Sequence, residues 1–385
     1  MHRRFRTRLK HPACPSGTNL AVFAVLFLLI VFLHPVHVNV SILFLGGSQG
    51  FSFGDTHQPW GPAFLKAREE QEQFCRGLPE EYQLNPPHFL DVPWTQGAQG
   101  PNSTTRLALR TGLQGRTPGA ASQPFSQYLF EANDIVSGLM MRDGEWEAYE
   151  LTQILHAMQQ FARYHKLDPK DIYFLDIGAN VGVYTLFMAA YGFSVIAFEP
   201  LHVNVMALRH SLCANPGLRE RVTLVTKALG NESHTCGIWS LDTNQGDGTV
   251  VCQDEVSATF GPELKRRQDL EISRLDDELA GVLHELAGRV GAVKIDVEGH
   301  ELAVVKGAQR FFDLVKPAGV MAECNDAMMA TATGEGANSL FRKMHELGYT
   351  VHQESFTGKV VPPSLFSVWT EPKIVNYWFV RRKGT

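Results

Sequence analysis

From residue 172 onward, short apolar segments alternate with segments whose apolar residues recur at helical spacing. The first segments are predicted strands at residues 172–176, 194–199 and 222–226, separated by predicted helices at 183–191 and 203–213. Strands that alternate with helices pair in parallel, because each helix crosses one face of the sheet. The pattern therefore predicts an α/β fold with a doubly wound, mostly parallel sheet of seven strands.

A second pattern interrupts this alternation after the third predicted strand. Residues 234–241 and 249–254 have the pattern of two strands around the turn-forming residues 244–248, which predicts an inserted β-hairpin. Cys236 and Cys252 fall symmetrically about Asn244, so a disulfide between them is expected in an oxidising compartment. The alternation then resumes with strands at residues 270–272, 291–297, 319–323, 349–353 and 374–380, and helices at 275–286, 301–312 and 339–347.

Composition places the chain among globular proteins and excludes several classes. Of its 385 residues, 44% are hydrophobic and 19% are charged, which excludes a wholly disordered, collagenous or multi-span membrane chain. The net charge is −5 and no long basic stripe lies beyond the first residues, which argues against a nucleic-acid-binding surface. The six cysteines contain no C-x-x-C pair and no Cys/His cluster with zinc spacing, so no structural metal site is expected.

The N-terminal region predicts attachment to a membrane. Basic residues within positions 3–10 precede an unbroken apolar run at 20–33, and apolar residues continue to position 45. We interpret residues 1–19 as a basic cytoplasmic tail and 20–45 as a signal anchor, with the rest of the chain in the lumen of the Golgi or endoplasmic reticulum. A cleaved signal peptide of a secreted protein, an organelle transit peptide and a buried helix are the alternatives.

Two further regions follow the predicted anchor. Residues 46–124 are rich in Gly, Pro, Ser, Thr and Gln and are predicted to form a flexible stem, with a short helix at residues 64–74 as an alternative within it. If this stem is lumenal, Asn102 is the expected glycan acceptor. Helical periodicity at residues 145–164 and the alternation after it place the main folded domain at residues 125–385.

A glycine-containing turn between the first strand and the first helix of the sheet predicts a cofactor site. Asp176, Gly178, Asn180 and Gly182 belong to this turn. Glycine permits a tight turn and close approach of a ligand to the backbone, and the helix that follows offers unpaired N–H groups. Asn180 stands where a G-x-G-x-x-G motif has its second glycine, which favours a nucleoside with an amino-acid tail over a dinucleotide. A plain structural turn is the alternative.

Carboxylates at two further strand ends face the same edge of the sheet. Glu199 ends the second strand, where a carboxylate can accept hydrogen bonds from both ribose hydroxyls; capping of the next helix is the alternative. Asp296 and Glu298 end the fourth parallel strand and would point the same way, and His300 follows on the adjoining turn. These last three are the predicted catalytic residues, and we favour this role over a metal site built from them.

The order and spacing of these motifs resemble those of the FkbM-type methyltransferases. The resemblance extends from about residue 133 to 380 and rests on residues 176–182, 198–200, 227–230, 273–277, 296–301 and 306–308. It implies a Rossmann-like methyltransferase sheet and S-adenosylmethionine as cofactor, with Asp176, Gly178, Asn180 and Gly182 around the methionine part, Glu199 at the ribose, and residues 296–300 facing the acceptor. His300 departs from many relatives, which have a small residue there.

Members of this family commonly methylate hydroxyl oxygens, including those of sugars and secondary metabolites. The resemblance therefore implies an O-methyltransferase in which Asp296 or His300 is the base. Together with the predicted lumenal topology, it leads us to expect a glycan acceptor in the secretory pathway. The alternatives are a lipid or small-molecule hydroxyl as acceptor, a binding protein that kept the fold and lost catalysis, and a nicotinamide-dependent oxidoreductase.

Overall fold

A computed structural model of the chain describes residues 62–94, 104–114, 122–252, 263–369 and 374–383. The strands in these ranges are β1 (Phe89–Pro93), β2 (Thr104–Leu113), β3 (Phe125–Phe130), β4 (Tyr173–Ile177), β5 (Ser194–Phe198), β6 (Val222–Val225), β7 (Ala228–Leu229), β8 (His234–Leu241), β9 (Asn244–Val251), β10 (Lys265–Ser273), β11 (Val290–Ile295), β12 (Gly319–Cys324), β13 (Tyr349–Gln353), β14 (Val360–Val361) and β15 (Val375–Arg381). The α-helices are α1 (Pro62–Gly77), α2 (Glu80–Leu84), α3 (Ile135–Asp143), α4 (Ala148–His165), α5 (Val183–Ala190), α6 (His202–Ala214), α7 (Pro216–Arg219), α8 (Leu275–Glu278), α9 (Leu283–Leu286), α10 (Glu301–Lys306), α11 (Gln309–Leu314), α12 (Asp326–Thr333) and α13 (Ala337–Glu346). Pro169–Asp171 and Pro363–Val368 form 3-10 helices.

The largest sheet confirms the predicted α/β architecture. Its strand order is β14-β13-β15-β12-β11-β4-β5-β6, and the five strands from β12 to β6 pair in parallel. Strand β15 runs antiparallel between β12 and β13, and the two-residue β14 adds an eighth strand at the edge. Every residue of β4 and β11 is buried, as expected for parallel strands that are covered by helices on both faces.

Two hydrophobic cores lie on opposite faces of this sheet. Phe174 of β4 belongs to the core that includes Met158 of α4 and Leu208 of α6. The next residue, Leu175, belongs to the core that includes Val304 of α10 and residues of α13. Successive side chains of a strand point to opposite faces, so β4 contributes to both cores and lies at the centre of the fold.

The predicted hairpin is present and belongs to a second sheet with strand order β7-β10-β8-β9. The prediction of a turn at residues 244–248 is wrong, because these residues form the first half of β9 and the chain turns before Asn244. Hydrogen bonds to another part of the chain hold them extended: the Asn244 side chain accepts from the backbone of Ile135, and Gln245 N–H donates to the carbonyl of Asn133. The structure confirms the predicted Cys236–Cys252 disulfide.

The prediction that residues 46–124 form a flexible stem is also corrected, because part of this region is folded into helices and strands. Helix α1 packs against α6, and a second disulfide, Cys75–Cys213, joins these two helices. Strands β1 and β2 form a three-stranded antiparallel sheet with β3. The stripe that α1 buries has helical spacing but contains the polar Gln71, which obscures the pattern in the sequence.

The predicted tail (1–19) and signal anchor (20–45) lie outside the described residues. Within the described ranges, none of the helices combines the length and the apolarity that a membrane span requires.

Candidate active site

The glycine turn between β4 and α5 is held in place by the protein itself. Gly178 and Gly182 have φ values of +84° and +88°, and Asn180 has a φ of +52°. A Cβ added to Gly178 would overlap the backbone carbonyl of Asp296, and one added to Gly182 would overlap the side chain of Leu208. The turn therefore requires glycine at these positions because of packing within the protein, in addition to any ligand contact.

One cavity, with an empty volume of about 690 Å³, lies at the carboxyl ends of β4, β5 and β11. It brings together these predicted site residues: Gly178, Asn180, Glu199, Asp296, Glu298 and His300. Asp176 and Gly182 lie outside this lining. Asp176 is fully buried, with its Oδ2 accepting a hydrogen bond of 2.6 Å from the Thr185 hydroxyl, so it supports the turn from beneath.

A buried lysine links the glycine turn to the loop after β11. Lys294 Nζ donates to the Gly178 carbonyl at 3.0 Å, lies 3.0 Å from Asp296 Oδ2 and 3.9 Å from Asp176 Oδ1. Burial alone would lower the pKa of Lys294, but the Asp296 and Asp176 carboxylates raise it above its usual value. Burial raises the pKa of Asp176, although Lys294 opposes this shift. The ammonium group therefore stays charged and fixes the distance between the two halves of the cavity wall.

Glu199 lies just before α6 and lines the cavity. Its Oε1 accepts from the Leu201 N–H at 2.9 Å and the Asn204 side chain at 3.3 Å, and its Oε2 accepts from the Asn180 N–H at 2.8 Å. Burial raises its pKa to about 7. A carboxylate oxygen can accept two hydrogen bonds, so Oε2 retains capacity for a ribose hydroxyl. The ribose interpretation of Glu199 is therefore compatible with its surroundings, whereas the alternative of a helix cap is not, because no side chain caps α6.

Strand β9 of the inserted hairpin closes one side of the cavity. The Gly246 carbonyl accepts hydrogen bonds from the side chains of Asn180, at 3.3 Å, and Asn204, at 2.8 Å. Its N–H donates to Asp134 Oδ2 at 3.1 Å, and Asp247 also lines the cavity. The sequence predicted the hairpin but not its contact with the glycine turn, because that contact joins positions 66 residues apart.

Three carboxylates converge beside the predicted catalytic loop. One oxygen from each of Asp296, Glu298 and Glu323 lies within 4.8 Å of the others. Burial raises the pKa of Glu298 well above its usual value, and the carboxylates of Asp247 and Glu323 add to this shift. Burial likewise raises the pKa of Glu323. Glu323 was missed in the sequence, although its place near the end of β12, the strand beside β11, is a signal that could have identified it.

His300 and Glu301 follow directly on the same loop. The His300 side chain is only 9% exposed, and its Nδ1 has no hydrogen-bond partner among the described residues. Burial lowers its pKa to about 4, so the imidazole is neutral at physiological pH. Glu301 Oε1 accepts from the N–H groups of Val297 and Gly299, both at 3.1 Å, and this holds the loop in its tight conformation.

Another acidic residue near the loop, Glu147, comes from a distant part of the chain. Glu147 precedes α4 with a φ of +46°, and its Oε2 accepts a hydrogen bond of 2.7 Å from the Tyr184 hydroxyl. Burial raises its pKa to about 7, with contributions from the carboxylates of Glu150 and Asp296. Lys294 Nζ lies 5.1 Å from the centroid of the Tyr184 ring. Sequence reasoning missed Glu147 because no local pattern relates it to residues near position 296.

Part of the chain is similar to known methyltransferases. Residues 176–351 match the family described as Methyltransferase FkbM domain. The chain is 27% identical over 171 residues to Methyltransferase sdnD of Sordaria araneosa, covering 38% of this chain and 65% of that protein. It is 26% identical over 160 residues to Methyltransferase 1 of Beauveria bassiana (strain ARSEF 2860), covering 36% of this chain and 59% of that protein. The match thus spans less than two thirds of the length of either relative.

Among solved structures, the chain is similar to the Methyltransferase FkbM of Methylobacillus flagellatus KT, and the aligned region covers 63% of this chain and 57% of that protein. The TM-score is 0.31 and the sequence identity is 17%.

Proposed function

We propose that this protein, whose residues 176–351 match the FkbM methyltransferase domain, transfers a methyl group from S-adenosylmethionine to a hydroxyl oxygen, and that the acceptor is a glycan in the secretory pathway. The observation that carries the proposal is the single cavity lined by the glycine turn, Glu199 and the loop from Asp296 to His300. A cofactor site and an acidic, His-containing loop thereby share one space.

The residues of the cavity fit this cofactor. Glu199 Oε2 can accept a further hydrogen bond from a ribose hydroxyl, and the carboxylates around Asp296 favour a positively charged ligand. When bound, S-adenosylmethionine supplies a methyl group activated by its sulfonium. Gly178 and Asn180 line the same wall, where their backbone leaves room for the amino-acid part.

The chemistry requires alignment and removal of one proton. The acceptor oxygen attacks the methyl carbon, the O–CH3 bond forms as the S–CH3 bond breaks, and S-adenosylhomocysteine leaves. The hydroxyl proton passes to His300 Nδ1 or to the Asp296 carboxylate. His300 can take this role because its imidazole is neutral and its Nδ1 has no partner within the described residues, although a pKa of about 4 makes it a weaker base than an exposed histidine.

Two disulfides support the secretory part of the proposal. Cys75–Cys213 and Cys236–Cys252 are both formed in the structure, and disulfides persist mainly in oxidising compartments. The basic start and the apolar run at 20–45 are the signals that would direct the chain there and anchor it, with the catalytic domain in the lumen. Glycans are the abundant hydroxyl-bearing acceptors of that compartment.

The test is incubation of the purified protein with isotopically labelled S-adenosylmethionine and acceptor panels of glycans, lipids and small hydroxyl compounds. We expect label in a glycan, at a hydroxyl oxygen that mass spectrometry identifies. Label in a lipid or small molecule would correct the acceptor class. Cofactor binding without transfer to any panel would favour a binding protein, and failure to bind the cofactor, measured by calorimetry, would contradict the proposal as a whole.

A further inference from the structure

We propose that Asp296, Glu298 and Glu323 bind one divalent cation of the Mg²⁺, Mn²⁺ and Ca²⁺ class, which positions the acceptor hydroxyl. The cation binding is independent of the proposed function, whereas the role in methyl transfer rests on it. Carboxylate oxygens are the ligands that these hard cations prefer. One oxygen from each of the three residues lies within 4.8 Å of the other two, which is compatible with coordination of one ion.

The backbone fixes the relative positions of these ligands. Strands β11 and β12 pair in parallel, with Ile295 opposite Ala322, so their carboxyl ends emerge side by side. Asp296 follows β11 directly, and Glu323 lies one residue from the end of β12. Glu298 sits in the turn that Glu301 holds through two backbone hydrogen bonds. The three carboxylates are thus brought together by sheet pairing and a braced turn.

The charge balance of the cluster favours a cation. The side chain of Asp247 hydrogen-bonds that of Glu298, so a fourth acidic side chain is in direct contact with the cluster. Lys294 contacts Asp296, but the same ammonium also bonds the Gly178 carbonyl and faces Asp176. One ammonium therefore serves two carboxylates beneath the cavity, and a divalent ion would supply positive charge beside Glu298 and Glu323.

A second, independent observation in the cavity wall indicates a ligand at this place. His300 lines the same cavity as Asp296 and Glu298, and its side chain is more than nine-tenths buried. Its Nδ1 nevertheless has no hydrogen-bond partner among the described residues, and the same holds for the buried Glu301 Oε2. Buried polar atoms are rarely left unsatisfied. A water or acceptor hydroxyl on the cation would provide the donor that His300 Nδ1 lacks.

The site narrows the class of acceptor. The protein supplies three ligands, whereas Mg²⁺ prefers six oxygen ligands. Water usually occupies the remaining coordination positions and can be exchanged for another ligand. An acceptor with two adjacent hydroxyls can occupy two of these positions, and the cation then fixes one oxygen for methyl transfer. We therefore infer a vicinal diol, as found in sugars, as the acceptor group.

The test is a titration of the full chain with Mn²⁺, followed by electron paramagnetic resonance, in wild type, Glu323→Gln and Glu298→Gln. The matched control is Glu346→Gln, which changes an exposed carboxylate on α13. We expect one Mn²⁺ per chain in wild type and control, displaced by excess Mg²⁺ or Ca²⁺, and an affinity lower by roughly tenfold or more in the other two variants. Circular dichroism confirms that each variant is folded.

The affinity for S-adenosylmethionine is measured separately by calorimetry in the presence of a chelator. Equal Mn²⁺ binding by wild type and both site variants, or no binding by wild type, would overturn the cation site even if the cofactor binds. Mn²⁺ binding that depends on Glu323 and Glu298 supports the site even if the cofactor does not bind. In that case only the proposed function fails, so the two failures are distinguishable.

Discussion

At Gly178 the backbone has a φ of +84° and lies against the carbonyl of Asp296, so a side chain there would meet both strain and overlap. We expect Gly178→Ala to abolish measurable binding of S-adenosylmethionine, because the turn and the loop after β11 must separate. Gly288→Ala is the matched control, since Gly288 has a φ of +70° and its added Cβ would meet nothing within 4 Å. The control should lose only about 1 to 2 kcal/mol of unfolding free energy.

Calorimetry and urea unfolding of both variants check this expectation. Cofactor binding by Gly178→Ala with wild-type affinity would mean that the turn is not part of the site.

A second prediction at the residue scale concerns the proton acceptor. If the His300 imidazole takes the proton, His300→Gln should lower turnover by about 10² to 10⁴, with cofactor affinity nearly unchanged. Asp296→Asn should also lower turnover, through the base or through the cation. A small effect of His300→Gln beside a large effect of Asp296→Asn would assign the base to Asp296. Near-normal turnover in both would place the acceptor elsewhere.

At the scale of elements, local periodicity predicted most of the strands and helices from residue 172 onward, since each carries its own pattern. It missed α12, and the helix predicted at 275–286 is divided into α8 and α9. It left a short helix at residues 64–74 as an alternative but could not establish α1, because burial of Gln71 depends on its hydrogen bonds to α6. The predicted helix at 301–312 is divided into α10 and α11 at Gly307, where the carbonyl of Gly230 approaches the backbone. Such breaks result from neighbours that are distant in sequence.

The candidate site shows the same limit. The glycine turn, Glu199 and residues 296–300 were predictable, since each lies at or just after the end of a predicted strand. The strand predicted at 291–297 ends at Ile295, however, and Glu298 lies in a turn with a φ of +53°. Glu323 required the pairing of β11 with β12, and Glu147 required the packing of Tyr184 against the residue before α4. Neither contact leaves a local pattern in the chain.

The junction of α1, α2 and α6 gives a prediction about pH. His210 of α6 lies among the rings of Phe74, Tyr82 and Tyr128, and its Nδ1 lies 2.5 Å from the Tyr82 hydroxyl. Burial lowers its pKa to about 4. Its unfolded pKa is about 6.5, so the unfolded chain binds the proton more readily between these values. The stability that this neutral histidine contributes is present above about pH 6.5 and is lost as the pH falls toward 4.

We expect wild type to lose about 2 kcal/mol more unfolding free energy than His210→Gln between pH 7 and pH 5. Urea unfolding at both pH values, with the disulfides intact, measures the difference. The comparison between the two proteins cancels the other titrating groups. An equal loss in both would show that folding does not lower the pKa of His210.

At the scale of the whole molecule, the proposed lumenal location predicts glycosylation. Asn231, in the sequon Asn231-Glu232-Ser233, is exposed in the turn between β7 and β8, whereas Asn102 lies outside the described residues. We expect protein from secretory-pathway expression to show a glycosidase-sensitive mobility, part of which Ser233→Ala removes. Asn231→Gln should match Ser233→Ala. Identical mobility of wild type and both variants, before and after glycosidase, would count against a lumenal domain.

The bond between Cys75 and Cys213 has a practical consequence for anyone who makes this protein. It closes a loop across a sequence separation of 138 residues, and a loop of that size corresponds to a stabilisation of about 4 to 5 kcal/mol in the chain-entropy account. Expression in a bacterial cytosol, or storage with a thiol reductant, would leave α1 held by noncovalent packing alone. Inactivity of a preparation made in this way would be a consequence of the missing disulfide and would not report on the activity of the native enzyme.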